Sequence, residues 1–77
     1  MDKETEAWYE NQFELFNQKG WKDCLEKAKE MTDAYNDIRN LNTSDDLWLN
    51  KGRLDMLDWL LTWEESVNKA FEDLSNE

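Results

Sequence analysis

The chain has 77 residues and a formal net charge of -10, with one cysteine, no histidine and no proline. This length predicts a single domain, residues 1–77, whose core alone gives marginal stability. The single Cys24 excludes an internal disulfide, and the lack of histidine excludes the common structural zinc sets. Oligomerisation and aromatic packing remain as stabilising factors, and five Trp, three Phe and two Tyr supply the aromatic mass.

The helix-forming sequence predicts an all-α fold, a small oligomeric bundle of three or four helices. Glycine occurs at two positions only, and apolar residues do not alternate in the manner of a strand. The predicted helices span about residues 3–18, 21–40, 45–61 and 63–74. The first presents Tyr9, Phe13 and Phe16 at helical spacing, and Gly20 is expected to end it.

The second predicted helix has the clearest amphipathic pattern, and we expect one face of it to be buried. That face consists of Trp21, Cys24, Leu25, Ala28, Met31, Tyr35 and Ile38. Cys24 is therefore expected to be a buried, inert thiol, because the chain has no histidine that could act as its base.

The third predicted helix is apolar on more than one side between residues 54 and 63. Thr43 followed three residues later by Asp46 predicts its N-cap. Thr62 followed by Glu65 is a second capping match, so the third and fourth helices are either broken there or continuous.

Two apolar stripes run along this third helix, with Trp59 between them. One consists of Met56, Leu60, Trp63 and Val67, and the other of Leu54, Leu57 and Leu61. We expect the first two helices to cover about two faces of the third, which leaves a smaller patch for a partner. Gly52 within the helix predicts either a close helix crossing or a local bend, of which the close crossing is favoured. The neighbouring Arg53 either pairs with a carboxylate of Asp33, Asp37 or Asp46 or is solvated.

The residue types predict neither an enzyme nor a catalytic, cofactor or metal site. Without histidine the usual acid-base group at neutral pH is missing. Carboxylates that are adjacent in the sequence, such as Asp45 and Asp46, point about 100 degrees apart on a helix and are expected to be solvated. Gly20 and Gly52 lie too far apart to form a phosphate-binding loop.

The negative charge disfavours direct binding to nucleic acid or to anionic membranes, so basic proteins are the expected counterparts. Asp2, Glu6, Glu10 and Glu14 recur at intervals of four, which weakens a helix slightly and favours solubility or a basic partner. The charged start of the chain predicts no secretory signal, and no segment is apolar enough to span a membrane. We therefore expect a cytoplasmic protein.

The segment from Leu47 to Leu74, which contains WLNKGRLDMLDWLLTWEESV, resembles the C-terminal helical part of small uncharacterised proteins of tailed phages and prophages. Those proteins often carry an x-x-G-R-x-x-x-L-x-x-L-L stretch followed by a short acidic helix. The resemblance implies a phage origin, with the protein in the host cytoplasm or in the virion, as an assembly component or an inhibitor of a host protein.

These observations together predict a protein that acts by protein binding, most simply as a homo-oligomer. The predicted contact residues are Trp48, Leu54, Leu57, Trp59 and Leu61. The alternative function is that of an acidic nucleic-acid mimic, whose carboxylates occupy the basic groove of a host enzyme or repressor.

Overall fold

The computed structural model describes residues 1–76 and confirms the all-α fold. The chain forms α1 (Lys3–Phe16), α2 (Lys19–Tyr35), a short 3₁₀ helix (Ile38–Asn40), α3 (Ser44–Leu61) and α4 (Trp63–Ser75). Of the two alternatives at Thr62, the broken helix is the one observed, because α3 ends directly before this residue and α4 begins directly after it.

The start of α1 is fixed by a side-chain cap. The Asp2 carboxylate accepts a hydrogen bond of 2.7 Å from the backbone N–H of Thr5, an N–H that lacks a partner within the helix. This hydrogen bond favours the charged carboxylate and so holds the pKa of Asp2 below its usual value.

The end of α1 corrects the predicted boundary. α1 stops at Phe16, and Gly20 does not end it, because Gly20 lies in the first turn of α2. The C-cap of α1 is Asn17 instead, and its side-chain amide donates a hydrogen bond of 3.2 Å to the carbonyl of Phe13. The amide satisfies one of the carbonyls that a helix end leaves without a partner.

The end of α2 also differs from the prediction, since the helix stops at Tyr35 and not near residue 40. The Asp37 carboxylate accepts hydrogen bonds from the backbone N–H of Arg39 at 3.0 Å and from its guanidinium at 2.9 Å. A short acidic side chain that binds nearby backbone in this way competes with the helix. The Arg39 side chain also lowers the pKa of Asp37, and Ile38, expected on the buried face, is 78% exposed.

The two predicted capping matches have different outcomes. The Thr43 hydroxyl accepts a hydrogen bond from the backbone N–H of Asp46 at 3.1 Å, which confirms the N-cap of α3. The Thr62 hydroxyl donates to the carbonyl of Asp58 at 2.8 Å and makes no capping hydrogen bond to α4. The predicted capping box between Thr62 and Glu65 is therefore wrong, although the helix does break there.

The hydrophobic core cluster lies between α1 and α4. Tyr9, Phe16 and Val67 form its centre, at 7%, 6% and 2% exposure. The side chains packed around this centre are Phe13, Trp21, Trp63 and Phe71. The rings of this core lie at centroid distances of 5.2 to 6.4 Å, within the range in which aromatic pairs attract each other.

The helices pack in two pairs, α2 with α3 and α1 with α4. Ala28 in α2 is 2% exposed, and its small side chain allows α3 to approach closely. The side-chain amide of Asn50, early in α3, donates to the carbonyl of Tyr35 at the end of α2, as expected for antiparallel helices joined by a short connection. The expectation that the first two helices cover two faces of the third is wrong for α1, which packs on α4 and on α2.

The molecule is long and thin for its mass. Its principal extents are 51 × 27 × 17 Å, whereas α3, the longest helix with 18 residues, spans only about 27 Å. The two helix pairs therefore lie largely end to end. The accessible surface is 6235 Å², compared with about 5,000 Å² for a compact monomer of 9.3 kDa.

The predicted close helix crossing at Gly52 is wrong. A Cβ atom added to Gly52 would meet nothing within 4 Å, and the residue does not adopt the positive φ that favours glycine. Glycine in the interior of a helix costs about 1 kcal/mol relative to alanine. Neither the backbone nor a contact among residues 1–76 accounts for a glycine at this position.

Candidate interaction surface

One side of α3 carries four residues that alternate at spacings of three and four, and this set is the outer face of α3. It consists of Leu49, Gly52, Met56 and Trp59. The side chains of Leu49, Met56 and Trp59 are 56%, 64% and 54% exposed. Trp48 beside them is 68% exposed. Apolar residues at this spacing are typical of a helix seam that packs along another helix.

The residues predicted to contact a partner lie on two sides of α3. Trp48 and Trp59 are exposed on the outer side. Leu54, Leu57 and Leu61 are half-buried on the side that faces α2, where they line crevices together with residues of that helix. The stripe of three leucines is therefore the one that faces the rest of the chain, and contact of any of the five with a partner stays a prediction.

A polar contact fixes α3 against the end of α2. Asn50 is 9% exposed, and its side-chain oxygen accepts a hydrogen bond of 3.1 Å from the guanidinium of Arg53. The same guanidinium lies 5.0 Å from the ring centroid of Tyr35, in a cation–π arrangement. Among the described residues, none of the carboxylates expected to pair with Arg53 does so, and Asp37 pairs with Arg39 instead.

An apolar groove of about 430 Å³ opens on the surface between α2 and the outer face. Its lining residues are Met31, Tyr35, Leu49, Gly52, Arg53, Met56 and Leu57. The missing side chain of Gly52 leaves room above the α3 backbone, because no atom lies within 4 Å of the position of a Cβ. Two methionines border the groove, and their flexible thioethers make favourable contacts with aromatic rings.

The outer face continues into the aromatic core through a row of neighbouring indoles, of which Trp63 and Trp8 meet edge to face. The Trp59 ring lies 5.0 Å from that of Trp63, which in turn lies 6.3 Å from that of Trp8. The indole N–H of Trp63 donates to the side-chain oxygen of Gln12 at 3.2 Å, which fixes the middle ring. Trp59 is thus held on one side by the core and exposed on the other.

The charges separate between the two helix pairs. Residues 2–16 and 63–75, which form the α1–α4 pair and its cap, hold nine acids against two lysines, a net charge of -7. α2 contains four acids and four lysines, and α3 contains four acids and two basic residues, Lys51 and Arg53. The α2–α3 pair therefore has a net charge of -2. The four residues of the outer face are uncharged, and the nearest acids along the helix are Asp45, one turn before Leu49, and Asp55, one turn before Trp59.

The predicted burial of Cys24 is wrong, because this residue is exposed. The buried strip of α2 is narrower than the sequence pattern indicated and centres on Ala28, which leaves Cys24 and Met31 at its edge. Across residues 1–76, no group of three or more His, Cys, Asp or Glu side chains is placed to hold a metal ion. No helix in this part of the chain has both the length and the apolar character needed to cross a membrane.

Sequence reasoning missed two contributors to this surface, Met31 and Gly52. Met31 was assigned to a buried face and Gly52 to a helix crossing, whereas both border the open groove. The signal for Gly52 is present in the sequence, since it continues the alternating three and four spacing of Leu49, Met56 and Trp59.

The fold and the charge distribution define a class, that of small acidic all-helical proteins with an exposed apolar helix face. No family model, curated protein or solved structure matches this particular chain. The resemblance of residues 47–74 to phage proteins therefore stays an expectation drawn from the sequence.

Proposed function

We propose that the protein is a small acidic interaction protein that self-associates through the outer face of α3 and serves as a phage structural, assembly or accessory component. The observation that carries this proposal is the exposure of Leu49, Met56 and Trp59 side by side on one helix. Exposed apolar patches of this kind mark protein contact sites. The phage assignment is supported by the sequence resemblance of residues 47–74 alone.

The charge distribution favours the outer face over other surfaces for contact between identical chains. Two copies that met through their α1–α4 pairs would each bring a net charge of -7 to the contact, and like charges across an interface oppose binding. The outer face offers uncharged side chains on the helix pair with a net charge of only -2.

Self-association of this kind should strengthen as salt is added. We expect the dissociation constant of the dimer to fall severalfold between about 0.01 M and 0.3 M salt, because the Debye length shrinks from about 30 Å to below 8 Å and screens the repulsion between acidic chains. Sedimentation equilibrium over a range of protein and salt concentrations measures this. A chain that is monomeric at every protein concentration up to the millimolar range contradicts the proposal.

The separation of charge favours a second candidate function, a nucleic-acid mimic that binds a basic host protein through the α1–α4 pair. Such a complex should weaken with salt, opposite to self-association, and added DNA should displace the partner. The double change Glu10→Gln with Glu14→Gln should weaken the complex several times more than Glu26→Gln with Asp33→Asn, which removes the same charge from α2. A complex unaffected by DNA, or equally weakened by both pairs of changes, contradicts this function.

A further inference from the structure

Gly52 lies in the interior of α3, where nothing in the fold accounts for a glycine. A Cβ there would meet open space, and the backbone does not need the conformational freedom of glycine. The helix therefore accepts a residue of low helix propensity that has no use within the described chain. An occupant of the groove from outside the chain accounts for it, because any larger side chain at this position would enter that groove.

The chain itself offers a side chain that suits this groove. Trp59 is 54% exposed and lies seven residues after Gly52 on the same face, or about 10 Å further along the helix. The groove is bordered by Met31 and Met56, and methionine side chains make favourable contacts with an aromatic ring such as this indole. The outer face thus contains both a protruding ring and an open position.

Only one orientation of two copies brings these features together. When two α3 helices lie antiparallel with a two-fold axis close to residue 56, each Trp59 lies opposite the partner's Gly52. In a parallel pair, the two Trp59 rings would meet each other and the two Gly52 positions would face an unfilled gap.

The charges favour the same orientation. The α1–α4 pair adjoins the C-terminal end of α3, because α4 follows directly after Thr62. A parallel arrangement would place two groups of net charge -7 next to each other, whereas an antiparallel one directs them to opposite ends. The antiparallel arrangement also aligns the helix dipoles of the two α3 helices favourably.

The accessible surface of the monomer is large enough for one standard protein interface. The accessible surface of 6235 Å² exceeds that of a compact monomer of this mass by roughly 1,200 Å². A standard protein interface buries about 800 Å² on each partner, so one such interface would remove most of the excess. A basic protein would be drawn to the acidic α1–α4 pair, which leaves the uncharged outer face to a second copy.

The geometry points to an antiparallel homodimer in which Trp59 of each copy occupies the groove above Gly52 of the other. This inference rests on the proposed self-association and specifies its geometry. In this dimer the absence of a side chain at Gly52 leaves the groove open, and the Trp59 side chain of the second copy fills it.

The change Gly52→Leu tests the groove without endangering the fold. Leucine is a good helix former and its Cβ meets no neighbour, so the monomer should melt at the same temperature or higher. The leucine would fill the groove, and we expect the dissociation constant of the dimer to rise at least tenfold in sedimentation equilibrium. The control Gly20→Leu, at an equally open position in the first turn of α2, should change it less than threefold. Normal dimerisation of Gly52→Leu overturns the inference.

Cysteine cross-linking in a Cys24→Ser background tests the orientation. In the Met56→Cys variant the new cysteine lies near the proposed two-fold axis, so it should form a disulfide with the same cysteine of the second copy. Leu49→Cys should not, because its two copies would lie roughly 20 Å apart along the antiparallel helices, beyond the 7 Å limit for Cα atoms in a disulfide. A ready disulfide from Leu49→Cys overturns the antiparallel geometry and leaves self-association intact. A chain that never dimerises contradicts the proposed function itself.

Discussion

Phe16→Ala should remove most of the free energy that keeps this protein folded. Phe16 is 6% exposed, and its ring lies 5.6 Å from that of Trp21 and 6.4 Å from that of Phe13, so it joins α1 to α2. Removal of a buried phenylalanine costs about 3 to 5 kcal/mol. Small domains have a free energy of unfolding of only about 5 to 15 kcal/mol, and a 77-residue chain lies at the low end of that range.

Urea unfolding followed by circular dichroism measures this loss of stability. Leu15→Ala is the matched control, because it also introduces alanine into α1, at the position next to Phe16. The side chain that it removes is 39% exposed. We expect Leu15→Ala to lower the free energy of unfolding by about 1 kcal/mol or less. Equal losses for the two variants would show that the aromatic cluster between α1 and α4 is not the stabilising core.

Trp59→Lys should strongly weaken self-association while the monomer stays folded. Tryptophan at the centre of an interface commonly contributes 2 kcal/mol or more, and the lysine replaces the apolar indole with a hydrated ammonium group that the monomer tolerates at an exposed position. We therefore expect the dissociation constant of the dimer to rise about 30-fold or more. Sedimentation velocity at several protein concentrations measures this change.

Leu47→Lys provides the control for charge and exposure. Leu47 lies in the same helix and is 53% exposed, almost the same as the 54% of Trp59, but it points to a different side, along the strip that contains Lys51 and Asp58. Leu47→Lys makes the same change in net charge as Trp59→Lys. We expect it to change the dissociation constant of the dimer less than threefold. If both variants dimerise equally well, or are weakened equally, the outer face is not the contact surface. Thermal melting of both variants detects any loss of fold.

The helices of this chain could be predicted because each depends on local signals. Apolar spacing gave α1 through Phe13 and Phe16, and the cap at Thr43 gave the start of α3. The boundaries that failed depend on side-chain hydrogen bonds. Asp37 binds the backbone of Arg39 after α2 has ended, and Asn17 caps α1 before Gly20 is reached. Such bonds compete with the helix over one or two residues, where spacing gives no information.

The pairing of helices could not be predicted from the same signals. The sequence showed two apolar stripes on α3, but not that α1 would pack on α4 and leave the outer face exposed. The contacts of Tyr9 and Phe13 with Phe71 decide this pairing, and they join residues about 60 positions apart. The separation of charge between the helix pairs could not be predicted for the same reason, since it exists only once the acidic ends of the chain lie together.

The division between inner and outer residues of α3 follows from this pairing. Leu57 and Leu54 line crevices with residues of α2, whereas Trp59 is left on the exposed outer face. Gly52 shows the limit of the sequence approach most clearly. Its cost within a helix was recognised, but whether a neighbouring helix or open space lies above it depends on the tertiary arrangement.

The end-to-end arrangement of the helix pairs makes each copy a strong electric dipole. Most of the negative charge lies towards one end of a molecule 51 Å long, and the other end is nearly neutral. A positively charged surface would turn the molecule before contact, so that its acidic end arrives first. Two antiparallel copies would cancel this dipole and present an acidic tip at each end. The dipole moment of the assembly, measured by electric birefringence, would therefore fall as the copies pair.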